Sequence, residues 1–255
     1  MNPPPLDLHA HIDVTIAAEE LTALGAIVFV ATRTLDEAAN AIRRNDVTAI
    51  WGVGCHPAVA AAHKKFDADR FAELSAQSPY ASEIGLDGGA KVPIEAQRRT
   101  FDAILRSLAE SPRIASIHSY RATAEVLGCL EAQPVQGAIL HWWLGDAEQT
   151  ARALALGCWF SVNAASVRKE VFSRIPLDRL ITETDHPFGD RRNGASARPG
   201  NVASAERAIA SEYGLDATAV RTQMWSNMAD LVGEAGCASL LPRPIRLQLM
   251  ASGGQ

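Results

Sequence analysis

His9 and His11 stand two residues apart in LDLHAHID. On an extended strand that spacing points both imidazoles to the same side, where they can share one metal ion. Glu83 in SEIGLDGG, His118 in SIHSYRA, His141 in ILHWWLG and Asp185 in ITETDHPFG complete a set of four imidazoles and two carboxylates. Each lies where an apolar run gives way to polar sequence. This donor set contains no thiolate and suits zinc, manganese, magnesium or cobalt. Six ligands exceed what one four-coordinate ion with an open position can use, whereas a carboxylate bridging two ions uses them all, and Glu83 is the best-placed bridge. Two divalent ions so held lower the pKa of a shared water and clamp the attacking and leaving oxygens of a displacement, so hydrolysis is the expected reaction.

Such a site needs a scaffold that gathers distant positions. Eight short apolar, β-branched runs, centred near Leu8, Val28, Val53, Glu83, Ile117, Leu140, Ser161 and Ile181, alternate with helix-compatible stretches. Those stretches run from about Ile16 to Leu24, Asp36 to Arg44, Asp69 to Gln77, Ile94 to Glu110, Thr123 to Gln133, Ala147 to Leu156 and Ser166 to Arg174. Ser204 to Glu212 and Ala217 to Ala229 would close the molecule. The alternation predicts an α/β fold, a (β/α)8 TIM barrel, in which sites are built where strands end and βα loops begin. The six ligand-type residues fall at the same end of five of those strands. Arg191 to Pro199 reads as a polar loop, and Leu241 to Gln255 as a C-terminal tail, structural or disordered.

At 255 residues with 47% hydrophobic and 21% charged, the chain suits one TIM-barrel domain over residues 1–255. The opening MNPPPLDLHAHID lacks a basic segment followed by a long apolar run, and no later stretch has membrane-spanning length, so a cytoplasmic protein without membrane contact is expected. Cys55, Cys129, Cys158 and Cys237 form no C-x-x-C pair and read as free buried thiols. A formal net charge of -5 argues against coating nucleic acid through bulk positive charge and leaves local phosphate contacts open.

The motifs LDLHAHID, GVGCHP at Gly52 to Pro57, EIGLDG at Glu83 to Gly88, HSYRA at His118, HWWLG at His141, ETDHP at Glu183 and SNMADLVG around Asn227 resemble together the TatD-related metal-dependent nucleases of the amidohydrolase superfamily. The resemblance covers nearly the whole chain. Within that family, the run LGCWFSVNAAS from Leu156, with EIGLDG and LHWW, is most similar to the QatD branch associated with bacterial anti-phage defence. The resemblance implies that His9, His11, Glu83 and Asp185 hold one ion and that Glu83, His118 and His141 hold the second. It also implies that Asp185 takes a proton from the attacking water, and that the substrate is DNA, trimmed 3'-5' from single-stranded ends. Protein partners in a defence complex follow from the same likeness. His56 is expected at substrate phosphate or leaving group, or as a stabiliser of its own loop. Glu183 either orients ligands from behind or is a buried carboxylate satisfied by backbone donors.

The chain departs from the family in three places. Tyr120 stands where an arginine is common, with Arg121 next; Ser82 replaces a glycine; His186 follows Asp185 in place of a small residue. Arg121 takes over a phosphate contact or simply starts a surface helix. Trp142 and Trp143 stack on a base or pack the core. Arg191, Arg192 and Arg198 rim the site or are solvated. Two other functions compete with the nuclease. A small-molecule amidohydrolase, lactonase or phosphotriesterase could use the same barrel, but such relatives often bridge their metals through a modified lysine, and Lys64, Lys65, Lys91 and Lys169 do not end a strand. A weakly catalytic subunit of a defence complex would not need the full ligand set.

Overall fold

The computed structural model describes residues 2–169 and 171–252, with the side chains of residues 168, 169, 171, 192 and 193 outside that description. All eight expected strands form: β1 Leu6–Ala10, β2 Ile27–Val30, β3 Ala49–Trp51, β4 Tyr80–Gly85, β5 Ile114–His118, β6 Ala138–Leu140, β7 Trp159–Val162 and β8 Leu180–Thr182. They pair in parallel in chain order as β1-β2-β3 and β4 to β8. Bridges between Val53 and Ala81 and between Ala10 and His186 join the two sets into a (β/α)8 barrel.

Both seams lie beside the ligand-type residues and rely on polar substitutes for regular pairing. At β3/β4, Val53 exchanges hydrogen bonds with Tyr80 and Ser82, while Thr32 exchanges them with Ser82 and Glu83. The chain at Gly54 threads between these backbones, where a Cβ would sit 2.1 Å from the Thr32 carbonyl and 2.3 Å from the Glu83 nitrogen, which accounts for the second glycine of GVGCHP. At β8/β1, the buried Asp7 carboxylate accepts from the backbone N–H of His9, Thr184 and Gly200 and from the Thr184 hydroxyl. Burial nevertheless pushes Asp7 up to about 7, against the pull of those donors.

The outer helices are α1 Ala18–Ala23, α2 Leu35–Ala41, α3 Ala60–Lys64, α4 Ala68–Ser75, α5 Ile94–Glu110, α6 Thr123–Ala132, α7 Ala147–Ala155, α8 Ala203–Tyr213, α9 Ala217–Ala235 and α10 Arg243–Ser252. In α5 the buried residues Gln97, Thr100, Phe101, Ile104, Leu105 and Leu108 recur at helical spacing and face the barrel. The first residues of several strands, among them Leu6, Ile27 and Ile114, join Trp225, Met228 and Leu231 of α9 and Ile245 and Leu249 of α10 in one apolar cluster. Helices α9 and α10 therefore cover the end opposite the ligands. The segment expected to be a tail thus contains α10.

Ser166 to Arg174, expected as a helix, instead forms two 3-10 turns, Ser166–Lys169 and Val171–Arg174. Asn163 and Ser166 explain part of the difference. Their side chains capture nearby backbone N–H and C=O groups, which offers the chain an alternative to a helical ladder. All four cysteines are free and buried. Among the described residues, no helix is long and apolar enough to cross a membrane.

Candidate metal centre

The barrel brings the six ligand-type residues together around Glu83, whose two oxygens face different histidines, with the His9 and His141 rings stacked 4.2 Å apart between them. Oε1 lies 2.7 Å from His118 Nδ1 and 3.2 Å from His141 Nε2, and these two nitrogens are 3.3 Å apart. Oε2 lies 3.3 Å from His11 Nε2 and 3.8 Å from His9 Nε2. Asp185 Oδ1 closes this second group at 3.7 Å from His11 Nε2 and 3.9 Å from His9 Nε2. A tetrahedral ion with bonds of about 2.0–2.2 Å spaces its ligand atoms by about 3.3–3.6 Å. The observed separations bracket that value.

The donor chemistry also fits a cation. His9 Nε2 and Glu83 Oε2 are buried without a hydrogen-bond partner. His9 meets Ser116 Oγ at 2.7 Å through Nδ1, and the tautomer with its proton there turns the Nε2 lone pair toward the carboxylates. Among the described residues, no lysine or arginine pairs with Glu83, Glu183 or Asp185; their ion-pair neighbours are histidines. A buried carboxylate group of this kind needs positive charge from elsewhere. Zinc, manganese, magnesium and cobalt all suit oxygen and imidazole donors.

Burial would raise Glu83, but His56, His11, His118 and His141 outweigh it and hold the carboxyl well below its usual range. Asp185 is held well above its usual value by burial and by the nearby carboxylates of Glu183, Glu83, Asp7 and Asp190. Burial lowers His118, yet Asp87 and Glu83 prevail and push it up to about 9. His118 must shed a proton to ligate a cation, and the upward displacement of Asp185 acts in the same sense, so metal affinity falls as pH drops below about 9. The expected slope is up to about tenfold per pH unit for each proton released. Calorimetric titration of manganese near pH 7 in two buffers of different ionisation enthalpy should report net proton release; heats independent of buffer would contradict this.

The other candidates line a cleft of about 560 Å³ above this cluster. His56 accepts the Ala58 N–H at Nδ1, so its proton sits on Nε2, which lies 3.2 Å from Glu83 Oε2. It therefore presents a donor to the site. Trp142 and Arg121 line the same cleft, both at positive φ, +43° and +51°. Asp185 shares that conformation at +45°. Non-glycine residues rarely adopt it, and such strain collects at working sites. Trp143, by contrast, is 1% exposed, packs edge-on against Phe160 and donates to Thr150, so it belongs to the core and cannot stack on a base.

Glu183 accepts from the Trp142 N–H and Asn163 Nδ2 at 2.9 Å each and from the Ser161 hydroxyl, and lies 3.9 Å from His141 Nδ1. It is thus satisfied by side-chain donors as well as the backbone, and it supports the segment that carries His141. His186 turns its ring to Asp190 at 2.8 Å. Arg191 lies over the Phe188 ring, Arg198 is exposed, and the Arg192 side chain lies outside the described residues. Sequence reasoning did not single out Asp87, 3.3 Å from His118 Nε2, or Ser116. The only signal for Asp87 was its place in EIGLDG; Ser116 carries none.

A parallel barrel with this histidine and carboxylate cluster at the C-terminal ends of its strands defines the metal-dependent hydrolase class. Residues 6–233 match the TatD related DNase family, and the chain belongs to it. It is 30% identical over 161 residues to the uncharacterized metal-dependent hydrolase YabD of Bacillus subtilis, an alignment covering 56% of this chain and 63% of that protein. It is 27% identical over 147 residues to the 3'-5' ssDNA/RNA exonuclease TatD of Escherichia fergusonii, covering 53% and 56%. The chain thus spans less than two thirds of those relatives. The solved structure of YJJV, a TatD homologue of Escherichia coli, shares the fold with a TM-score of 0.79 at 21% identity, covering 91% of this chain and 98% of that one.

Proposed function

We propose that the chain is a metal-dependent phosphodiester hydrolase acting on single-stranded DNA, trimming 3'-5' from the end. The observation that carries this reading is the Glu83 carboxylate, with one oxygen turned to His118 and His141 and the other to His11 and His9. His9, His11, Glu83 and Asp185 would hold one divalent ion, and Glu83, His118 and His141 the second. Ions so placed supply an acidified water and positive charge for the phosphoryl oxygens. Asp185 receives the water's proton; its displacement toward the protonated form suits a group that must take one up. His56 donates its Nε2 proton to a phosphate or leaving-group oxygen, and Arg121 adds positive charge at the cleft wall. Trp142 offers an aromatic face to a base.

Similarity to the 3'-5' ssDNA/RNA exonuclease TatD of Escherichia fergusonii supports the direction and strandedness. The run from Leu156 resembles the QatD branch, and that resemblance supports extending the proposal to protein partners in anti-phage defence. Single-stranded DNA labelled at its 3' or 5' end should release mononucleotides first from the 3' label in manganese or magnesium and none with chelator. First release from the 5' label, or internal cuts alone, would overturn the polarity; no release with any metal would overturn the nuclease reading.

A further inference from the structure

We infer that Phe188, Trp142 and Tyr120 form a stacking platform at the cleft mouth that grips the terminal nucleobase of a single strand while its phosphate faces Glu83. The inference rests on the phosphodiesterase reading and extends it from the phosphate to the base.

Large apolar side chains left in water around one cleft mark a place where something docks. Phe188 is 43% exposed and Tyr120 50%, and both line the cleft with Trp142 and Leu144. Phe188 stands edge-on to His11, with ring centroids 5.5 Å apart at 80°, so an aromatic surface begins beside a ligand-type histidine, within the reach of one nucleotide. Each exposed ring carries a cation: Arg191 lies 5.1 Å over Phe188, and Arg121 5.2 Å over Tyr120. An aromatic face paired with a guanidinium complements a base joined to a phosphate. A bare sugar phosphate has nothing to place against three rings.

The platform is also held in place. Trp142 keeps its positive φ with its N–H donated to Glu183. Arg121 keeps its own against Gly88, where a Cβ would lie 2.3 Å from the Arg121 carbonyl; the Gly88 N–H in turn donates to the Tyr120 carbonyl. Strained residues that persist on one cleft wall are held there by their surroundings. A cleft of about 560 Å³ is of the size that encloses a small ligand. It suits a splayed strand end better than a duplex.

The test compares manganese-loaded protein on two single-stranded oligonucleotides, one with an ordinary 3'-terminal nucleotide and one with a 3'-terminal abasic tetrahydrofuran residue, the scissile phosphate being the same. Wild type should show kcat/KM about 10- to 100-fold higher for the base-bearing end, the scale of base–aromatic stacking. Phe188→Ala and Trp142→Ala should slow the base-bearing end more than the abasic end and bring the ratio of the two toward one, while Phe188→Tyr should keep the preference. Equal cleavage of both ends by wild type, or a preference that survives both alanine variants, would overturn the inference alone. Cleavage of neither end would overturn the phosphodiesterase reading and the inference with it.

Discussion

Glu83→Ala is expected to lower metal-dependent kcat/KM on single-stranded DNA by at least about 10³-fold, the largest loss of any single replacement in the site. The reason is geometric. Among the described residues, Glu83 is the side chain that faces both histidine groups, at 2.7 and 3.2 Å on one oxygen and 3.3 and 3.8 Å on the other. Removing it opens both groups at once and takes away the anion that offsets cationic charge in a buried site. His118 would also lose one of the two carboxylates that push it up to about 9 and would fall toward the ordinary range. Steady-state kinetics across manganese concentrations checks this. A variant that regains wild-type kcat at high metal would reduce Glu83 to a contributor to affinity.

Asp185→Asn should cost about 10²–10⁴-fold in kcat, the range for loss of a general base, while the protein stays folded. Asparagine is chosen because it tolerates the left-handed backbone that Asp185 adopts at φ +45°. The backbone bonds here survive the change. Asp185 N–H donates to the His9 carbonyl, and its own carbonyl accepts from Phe188 and Gly189. The change therefore removes the carboxylate's negative charge beside His9 and His11 and its capacity to take up a proton. The pH profile supplies a second readout: kcat of the wild type should fall as pH drops through the range in which Asp185 becomes protonated, and the variant should lose that limb. A kcat within about threefold of wild type would remove Asp185 from proton transfer.

The barrel was legible because its strands are short, apolar and β-branched and recur between helical stretches, and because strand ends were recognisable from residue type. The six ligand-type residues were legible for the same reason: His9, His11, Glu83, His118, His141 and Asp185 each mark the end of such a run. Their supporting residues were not. Ser116 meets His9 across 107 positions of sequence, and Asn163 meets Glu183 across 20, so nothing local distinguishes them from other polar residues. The two tryptophans of LHWWLG could not be told apart by type. The fold separates them through the backbone: Trp142 is held at positive φ on the cleft, and Trp143 folds back over Gly145, where a Cβ would lie 2.0 Å from its ring. Phe188 and Tyr120 gave no periodic signal, because exposure around a cleft follows from where the loops meet.

Counting divalent ions per folded chain bears most directly on the central claim, that these residues form a two-ion centre. Elemental analysis of protein loaded with manganese or zinc and freed of excess metal should find two ions per chain in the wild type, one in His118→Ala, one in His11→Ala and fewer than one in Glu83→Ala. One ion per wild-type chain, or a count unchanged by any of these replacements, would contradict it.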